Sequence, residues 1–420
     1  MDRFVIEGGK KLKGEVTISG AKNSALPIIA AALLTDTPVI LENIPDVVDV
    51  HTMVKLIKHH GAKVSFEKNT LTIHTPRIKN IEAPYDIVRK MRASYYVLGS
   101  LVGREKAARV SLPGGCAIGP RPIDLHIKGL KALGVEINID EGYVNARAGH
   151  IAGDDINLLG AKGTSVGATI NTMLAAVQAS GRTRIISAAC EPEVVDVANF
   201  LSILGADIQG AGSSVIVING PRSLGGATYR IIPDRIEAGT FAVAAAITKG
   251  DVVIAGVLPQ DMIAVLDKLE EIGAVIVREP DRVEVRGAQN LLSTAVYVAP
   301  FPGFPTDMQA QFMALLSVAS GTSTVKETIF ENRFMQAMEL SRMGADIKID
   351  GDTAVIRGVK RLSGASVMAS DLRASACLVL AGLAARGKTV VRRIYHLDRG
   401  YDRFEKKLRF LGARIRRIKE

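Results

Sequence analysis

The sequence predicts an α/β protein built from six βαβαββ-type repeats, three in each of two domains, and three observations carry that prediction. First, a short apolar-Gly-small phrase recurs at Gly61, Gly134, Gly205, Gly273, Gly344 and Gly412, at intervals of 73, 71, 68, 71 and 68 residues. Glycine adopts the left-handed conformation in which many helices end, so each copy reads as a helix C-cap that opens a strand. Second, segments rich in Ala, Gly, Ser and Leu begin near Asn23, Arg92, Ser165, Glu237, Asp307 and Arg373, at intervals of 69, 73, 72, 70 and 66. Third, the last copy of the glycine phrase is followed by one strand and no hairpin, whereas residues 5–18 resemble the hairpins at 283–298 and 355–367.

The N-terminal hairpin is therefore assigned to the last repeat, and the expected domains are 22–230 and 1–21 plus 231–420, joined by two crossings. The first repeat opens at Lys22-Asn23 and runs through Ala25 to Leu34, a stretch without a polar face that suits a helix covered on every side. Its amphipathic second helix ends at His59-His60, most simply a favourable contact with the helix dipole. The second repeat opens at Arg92 and carries the loop Pro113 to Asp124, then an amphipathic helix from near Pro122 that bears His126. The third opens at Lys162 and Ser165, with Glu191 in its second loop; the fourth opens at Glu237. The fifth opens at Asp307, with Ile329, Phe330 and Arg333 in its second loop, and the sixth at Asp371 to Arg373, with Arg399 in its second loop.

Composition bounds the function. At 47% hydrophobic and 23% charged residues, the chain is long enough for two domains with cores of their own. Three widely spaced cysteines (Cys116, Cys190, Cys377) fit neither a disulfide framework nor a zinc site, and point to a reducing cytoplasm. The N-terminus reads as a strand rather than a leader, and no apolar run approaches the roughly 20 residues that span a bilayer, so a soluble protein is expected. A formal charge of +10 implies anionic partners. Aromatic residues are only 5%, and the cations read as scattered, with Arg414 to Lys419 as a solvated strand end, which argues against nucleic acid.

The loop Pro113 to Asp124 sets Cys116 among glycines, with Arg109 and Arg121 nearby to favour the thiolate. Lys22, Arg92 and Arg373 stand at helix starts, where a cation opposes the dipole and capping gives no reason for it. Capping would account for Asn23, Ser165, Asp307 and Asp371. Converging helix N-termini and cations together would make an anion site. Gly382 to Thr389 has the letters of a phosphate loop, but it ends a helix instead of opening one, so no nucleotide loop is read there. A cysteine-histidine hydrolase would need a base for Cys116, and His126 is the nearest in sequence.

These residues resemble the enolpyruvyl transferase family over the whole chain. The segments that carry the resemblance are Gly20 to Ser24, Lys90 to Ser94, the Cys116 loop through Arg121, Pro122, Ile123 and Asp124, Phe304 to Asp307, and Asp371 to Ala374. The resemblance implies two inside-out α/β barrels, helices inside and sheets outside, that close on their substrates. It also implies that the 3-hydroxyl of UDP-N-acetylglucosamine attacks C2 of phosphoenolpyruvate and phosphate leaves, the first committed step of peptidoglycan synthesis. The shikimate branch of the family shares the repeats and typically lacks the cysteine loop; RNA 3′-phosphate cyclases, which use related repeats, are the alternative of another class.

By the same resemblance Cys116 is the acid over C3 of phosphoenolpyruvate and a point of covalent trapping, and Asp307 is the base for the sugar hydroxyl. Lys22, Arg92, Arg121, Arg333, Arg373 and Arg399 are implied as the cations for phosphate and carboxylate, with Lys22 and Arg399 in the catalytic set. Asn23, Arg92, Arg121 to Leu125, Lys162, Ser165, Val166, Gly167, Asp307, Ile329, Phe330 and Asp371 are implied to hold substrate. No metal and no organic cofactor is implied.

Overall fold

A computed structural model describes residues 2–112 and 123–419. Among them, six helices lie buried: Lys22–Ala31, Tyr96–Glu105, Val166–Ala176, Arg235–Ile247, Thr306–Leu316 and Leu372–Ala384. Their small residues let helix backbones meet. A Cβ on Gly99 would stand 2.3 Å from the backbone oxygen of Asn171 on the neighbouring helix, so only glycine fits that crossing. Between them run amphipathic helices such as Val48–His59, Ile263–Glu271 and Phe404–Phe410, each burying one side.

The six recurring glycines all adopt left-handed backbone, with φ from 86° at Gly134 to 115° at Gly205. At each of them a helix stops and a strand starts. One start differs from the sequence reading. Arg92 lies in a 3-10 turn, Arg92–Tyr95, and the α-helix begins only at Tyr96, because the segment after Met91 first completes that tighter turn.

Six four-stranded sheets surround the helices, each with a parallel strand at one edge and an antiparallel pair at the other. The N-terminal segment is not the expected hairpin: Arg3–Glu7 sits inside one sheet, antiparallel to both Lys388–Arg392 and Arg414–Ile418, while Lys13–Thr17 joins another, parallel to Asp251–Ala255, because each completes a different repeat. Thr228–Arg230 pairs in parallel with Val39–Glu42. The described chain divides into two compact units, residues 2–19 with 233–419 and residues 20–112 with 123–232. Each has its own buried apolar cluster. Among the described residues, no helix is long and apolar enough to cross a membrane.

Candidate active site

In the unit that contains residues 233–419, the start of the helix Thr306–Leu316 brings one carboxylate together with two arginines. The cap position is Pro305, whose ring carries no hydrogen-bond acceptor, and Thr306 donates to Glu327 at 2.7 Å. Capping therefore does not explain Asp307. Its carboxylate is shared by two guanidiniums, Oδ1 receiving Arg333 at 2.7 Å and Oδ2 receiving Arg373 at 2.6 Å. The arginine side chains are 5% and 6% exposed and the aspartate 27%, so two buried cations present one partly open carboxylate.

Burial by itself would discharge Arg373, but Asp307 and Tyr401 outweigh it and hold its pKa above the ordinary arginine value. The Tyr401 hydroxyl accepts from Arg373 at 3.2 Å and from Gln311 at 3.3 Å and meets Thr240 at 2.9 Å, which fixes the guanidinium from behind. Arg333 lies over the Phe330 ring, 5.4 Å from its centroid. Glu327 accepts from the backbone of Ile329 and Phe330, so the same carboxylate that holds Thr306 sets this loop beside the helix. Asp371 does cap its helix, accepting from the amides of Arg373 and Ala374. Arg399 ends the 3-10 turn Ile394–Arg399, and after burial its charge is the main reason the nearby His396 pKa is lowered.

The unit of residues 20–232 assembles a second set. The helix Lys22–Ala31 has Ala21 at its cap, so Asn23 is not a cap either. Lys22 pairs with Asp49 at 3.3 Å, the lysine side chain 12% and the aspartate 4% exposed. One residue on, Ser24 donates to the buried carboxylate of Asp196, which also accepts from Tyr229 at 2.5 Å. Burial pushes the Asp196 pKa up against these donors. The carboxylate ties the turn that presents Lys22 and Asn23 to the strand Thr228–Arg230 and to the Ile232 amide.

Ser165 caps its helix by accepting from Ala168. Beside it, His126 is pushed down to about 3 by burial and by the Arg92 charge, so it stays neutral. Its Nδ1 accepts from Asn171 at 2.8 Å, its ring stands edge-on to Tyr95, and a Cβ on Gly167 would lie 3.0 Å from Nε2. His126 thus supports the Ser165 to Gly167 turn instead of acting as a base. Nothing in the sequence marks this role, since His126 and Asn171 are 45 positions apart.

Ile123 and Leu125 are half-buried and Asp124 exposed at the start of the helix Asp124–Ala132; Lys162 is exposed. Cys116, Arg121 and Pro122 lie outside the described residues. Burial raises the thiol pKa of both other cysteines, Cys190 and Cys377, which disfavours thiolate chemistry there. Among the described residues, no three His, Cys, Asp or Glu side chains group as a metal site.

Repeated βαβαββ units around buried helices, with cations and carboxylates at the helix starts, define a two-unit α/β class with charged groups at its helix N-termini. The chain matches the EPSP synthase (3-phosphoshikimate 1-carboxyvinyltransferase) pattern over residues 6–408 and belongs to the enolpyruvyl transferase family. It is 52% identical, over the full length of both chains, to UDP-N-acetylglucosamine 1-carboxyvinyltransferase 2 of Carboxydothermus hydrogenoformans. It is 54% identical to UDP-N-acetylglucosamine 1-carboxyvinyltransferase 1 of Caldanaerobacter subterraneus, with 99% of each covered. In three dimensions it resembles the enolpyruvyl transferase NikO from Streptomyces tendae, with a TM-score of 0.89, 29% identity and 99% of each chain covered.

Proposed function

We propose that the protein transfers the enolpyruvyl group of phosphoenolpyruvate to the 3-hydroxyl of UDP-N-acetylglucosamine and releases phosphate, the first committed step of peptidoglycan synthesis. The observation that carries the reading is full-length identity above half to enzymes named for this reaction, joined to a helix start that holds a partly open carboxylate between two buried arginines.

The roles we assign follow from what the reaction demands. The sugar oxygen bonds to C2, its proton leaves, and C3 gains a proton; the C2–O bond to phosphate then breaks as C3 gives a proton back. Asp307 is the acceptor for the hydroxyl proton, its partly open carboxylate leaving room beside the two guanidiniums. Cys116 is the acid at C3. Lys22, Arg92, Arg121, Arg333, Arg373 and Arg399 bind the phosphate and carboxylate of phosphoenolpyruvate, where arginine offers two parallel donors to each group. Asn23, Ile123 to Leu125, Lys162, Ser165 to Gly167, Ile329, Phe330 and Asp371 position the nucleotide sugar. We place the protein in the cytoplasm, where its cysteines stay reduced.

Phosphate release from phosphoenolpyruvate tests the reading. It should require UDP-N-acetylglucosamine; release driven by 3-phosphoshikimate instead would move the protein to the other branch of the family.

A further inference from the structure

The positive charge of this chain is concentrated at one end. Residues 386–420 hold 13 lysines and arginines against 4 acidic residues, nine of the ten formal positive charges. The reading of cations as scattered holds for residues 1–385, where 40 face 39 acidic residues, and fails for the rest.

The fold places four of these cations, with Arg3, on one face. Side chains alternate across a strand, so the outward positions of the sheet around Arg3–Glu7 follow from its register. Arg414 and Lys388 stand opposite Glu7, Arg416 opposite Val5, and Arg392 opposite Met368, with Arg3 on the same side. Lys388, Arg392, Arg414 and Arg416 are exposed. Among the strand residues of this face, five cations meet one carboxylate.

The other two sheets of the same unit provide internal controls, because they share the four-strand plan. One mixes Lys13, Arg282 and Arg286 with Glu15, Asp251, Glu279 and Glu284. The other mixes Lys326, Lys348 and Arg357 with Asp346 and Asp350. Glu7 lies between Lys388 and Arg414 and offsets only part of this charge, so the face keeps an excess of cations on one sheet of three that suits an anionic counterpart.

We propose that this face docks on a membrane surface rich in anionic phospholipid headgroups. The surface is a sheet rather than a groove, and its outward strand residues include no aromatic ring on which a base would stack. Apolar side chains do accompany the cations. Met368 on the same face is 41% exposed, and Phe410, just before Arg414–Ile418, is 79% exposed. Cations with isolated exposed apolar side chains are what interfacial binding to anionic lipid uses.

Vesicle co-sedimentation of the full-length protein tests this. Vesicles with about a third phosphatidylglycerol should retain it at low salt at least about tenfold better than pure phosphatidylcholine, and about 0.5 M salt should release it. The double variants Lys388→Glu with Arg416→Glu, and Lys388→Gln with Arg416→Gln, should lose about tenfold in partitioning while melting temperature and turnover in solution stay at parental values. Lys348→Glu with Arg357→Glu, on a balanced sheet, should bind as the parent does. Equal binding to phosphatidylcholine, or equal loss in the control variant, overturns the proposal. So does displacement from the vesicles by an oligonucleotide that the protein binds more tightly.

Discussion

Asp307 shows how one side chain passes from an ambiguous letter to a chemical assignment. At a helix start an aspartate reads equally as a cap, and capping is worth about 1 kcal/mol. The structure removes that role, because Pro305 occupies the cap position and the carboxylate faces Arg333 and Arg373. Asp307→Asn should therefore lower turnover on the order of 100-fold or more, with a smaller effect on UDP-N-acetylglucosamine affinity measured by calorimetry. Near-parental turnover would leave Asp307 as an anchor for two buried arginines. At Cys116 the proposed role depends on proton affinity rather than sulfur. Cys116→Asp should keep substantial turnover and Cys116→Ser should lose nearly all of it, since a hydroxyl is far too weak an acid; a fully active serine variant would sink the acid assignment.

Elements impose their own constraints. The helices Tyr96–Glu105 and Val166–Ala176 cross at Gly99, whose amide donates to the Asn171 side chain at 2.7 Å. Alanine is the better helix former by about 1 kcal/mol, yet Gly99→Ala should destabilise by about 1–3 kcal/mol in urea unfolding, because its methyl would strike the Asn171 backbone. A stabilised variant would mean the two helices separate without cost. Buried histidines add a pH signature to the unit of residues 20–232. His60, pushed down to about 4 by burial, and His126, down to about 3, stay neutral when folded but protonate near 6.5 when unfolded. The unfolded state then binds more protons below pH 6.5. Stability is accordingly whole above that pH and falls as acid is added, by about 2 kcal/mol per histidine at pH 5. His126→Gln should flatten this dependence between pH 7 and 5, and an unchanged slope would show that His126 protonates in the folded protein.

For the whole molecule, residues 2–19 decide whether the unit of residues 233–419 is complete. Arg3–Glu7 supplies hydrogen bonds to strands on both sides, and Ser19 is held by Glu237 through its amide at 2.8 Å and by Lys407 through its hydroxyl at 2.7 Å. A fragment of residues 233–420 should thus fail to unfold cooperatively, whereas residues 1–19 fused to it through a flexible linker should restore a single transition. A cooperative transition without them would show that this segment is dispensable.

Periodicity made the repeat plan legible, because left-handed helix ends need glycine and buried helix crossings need small side chains wherever they recur. Gly61 through Gly412 therefore mark six units in the sequence by itself, and all six adopt the left-handed backbone. The cations at Lys22, Arg92 and Arg373 were legible for a related reason: nothing local favours them there. What the sequence could not settle depended on partners distant along the chain. Whether Asp307 caps or pairs rests on arginines 26 and 66 residues away, and the support of the Ser165 turn rests on a contact between His126 and Asn171, 45 apart. The basic face likewise exists only once Arg3 is brought beside Arg414–Ile418, because register decides which charges share a surface.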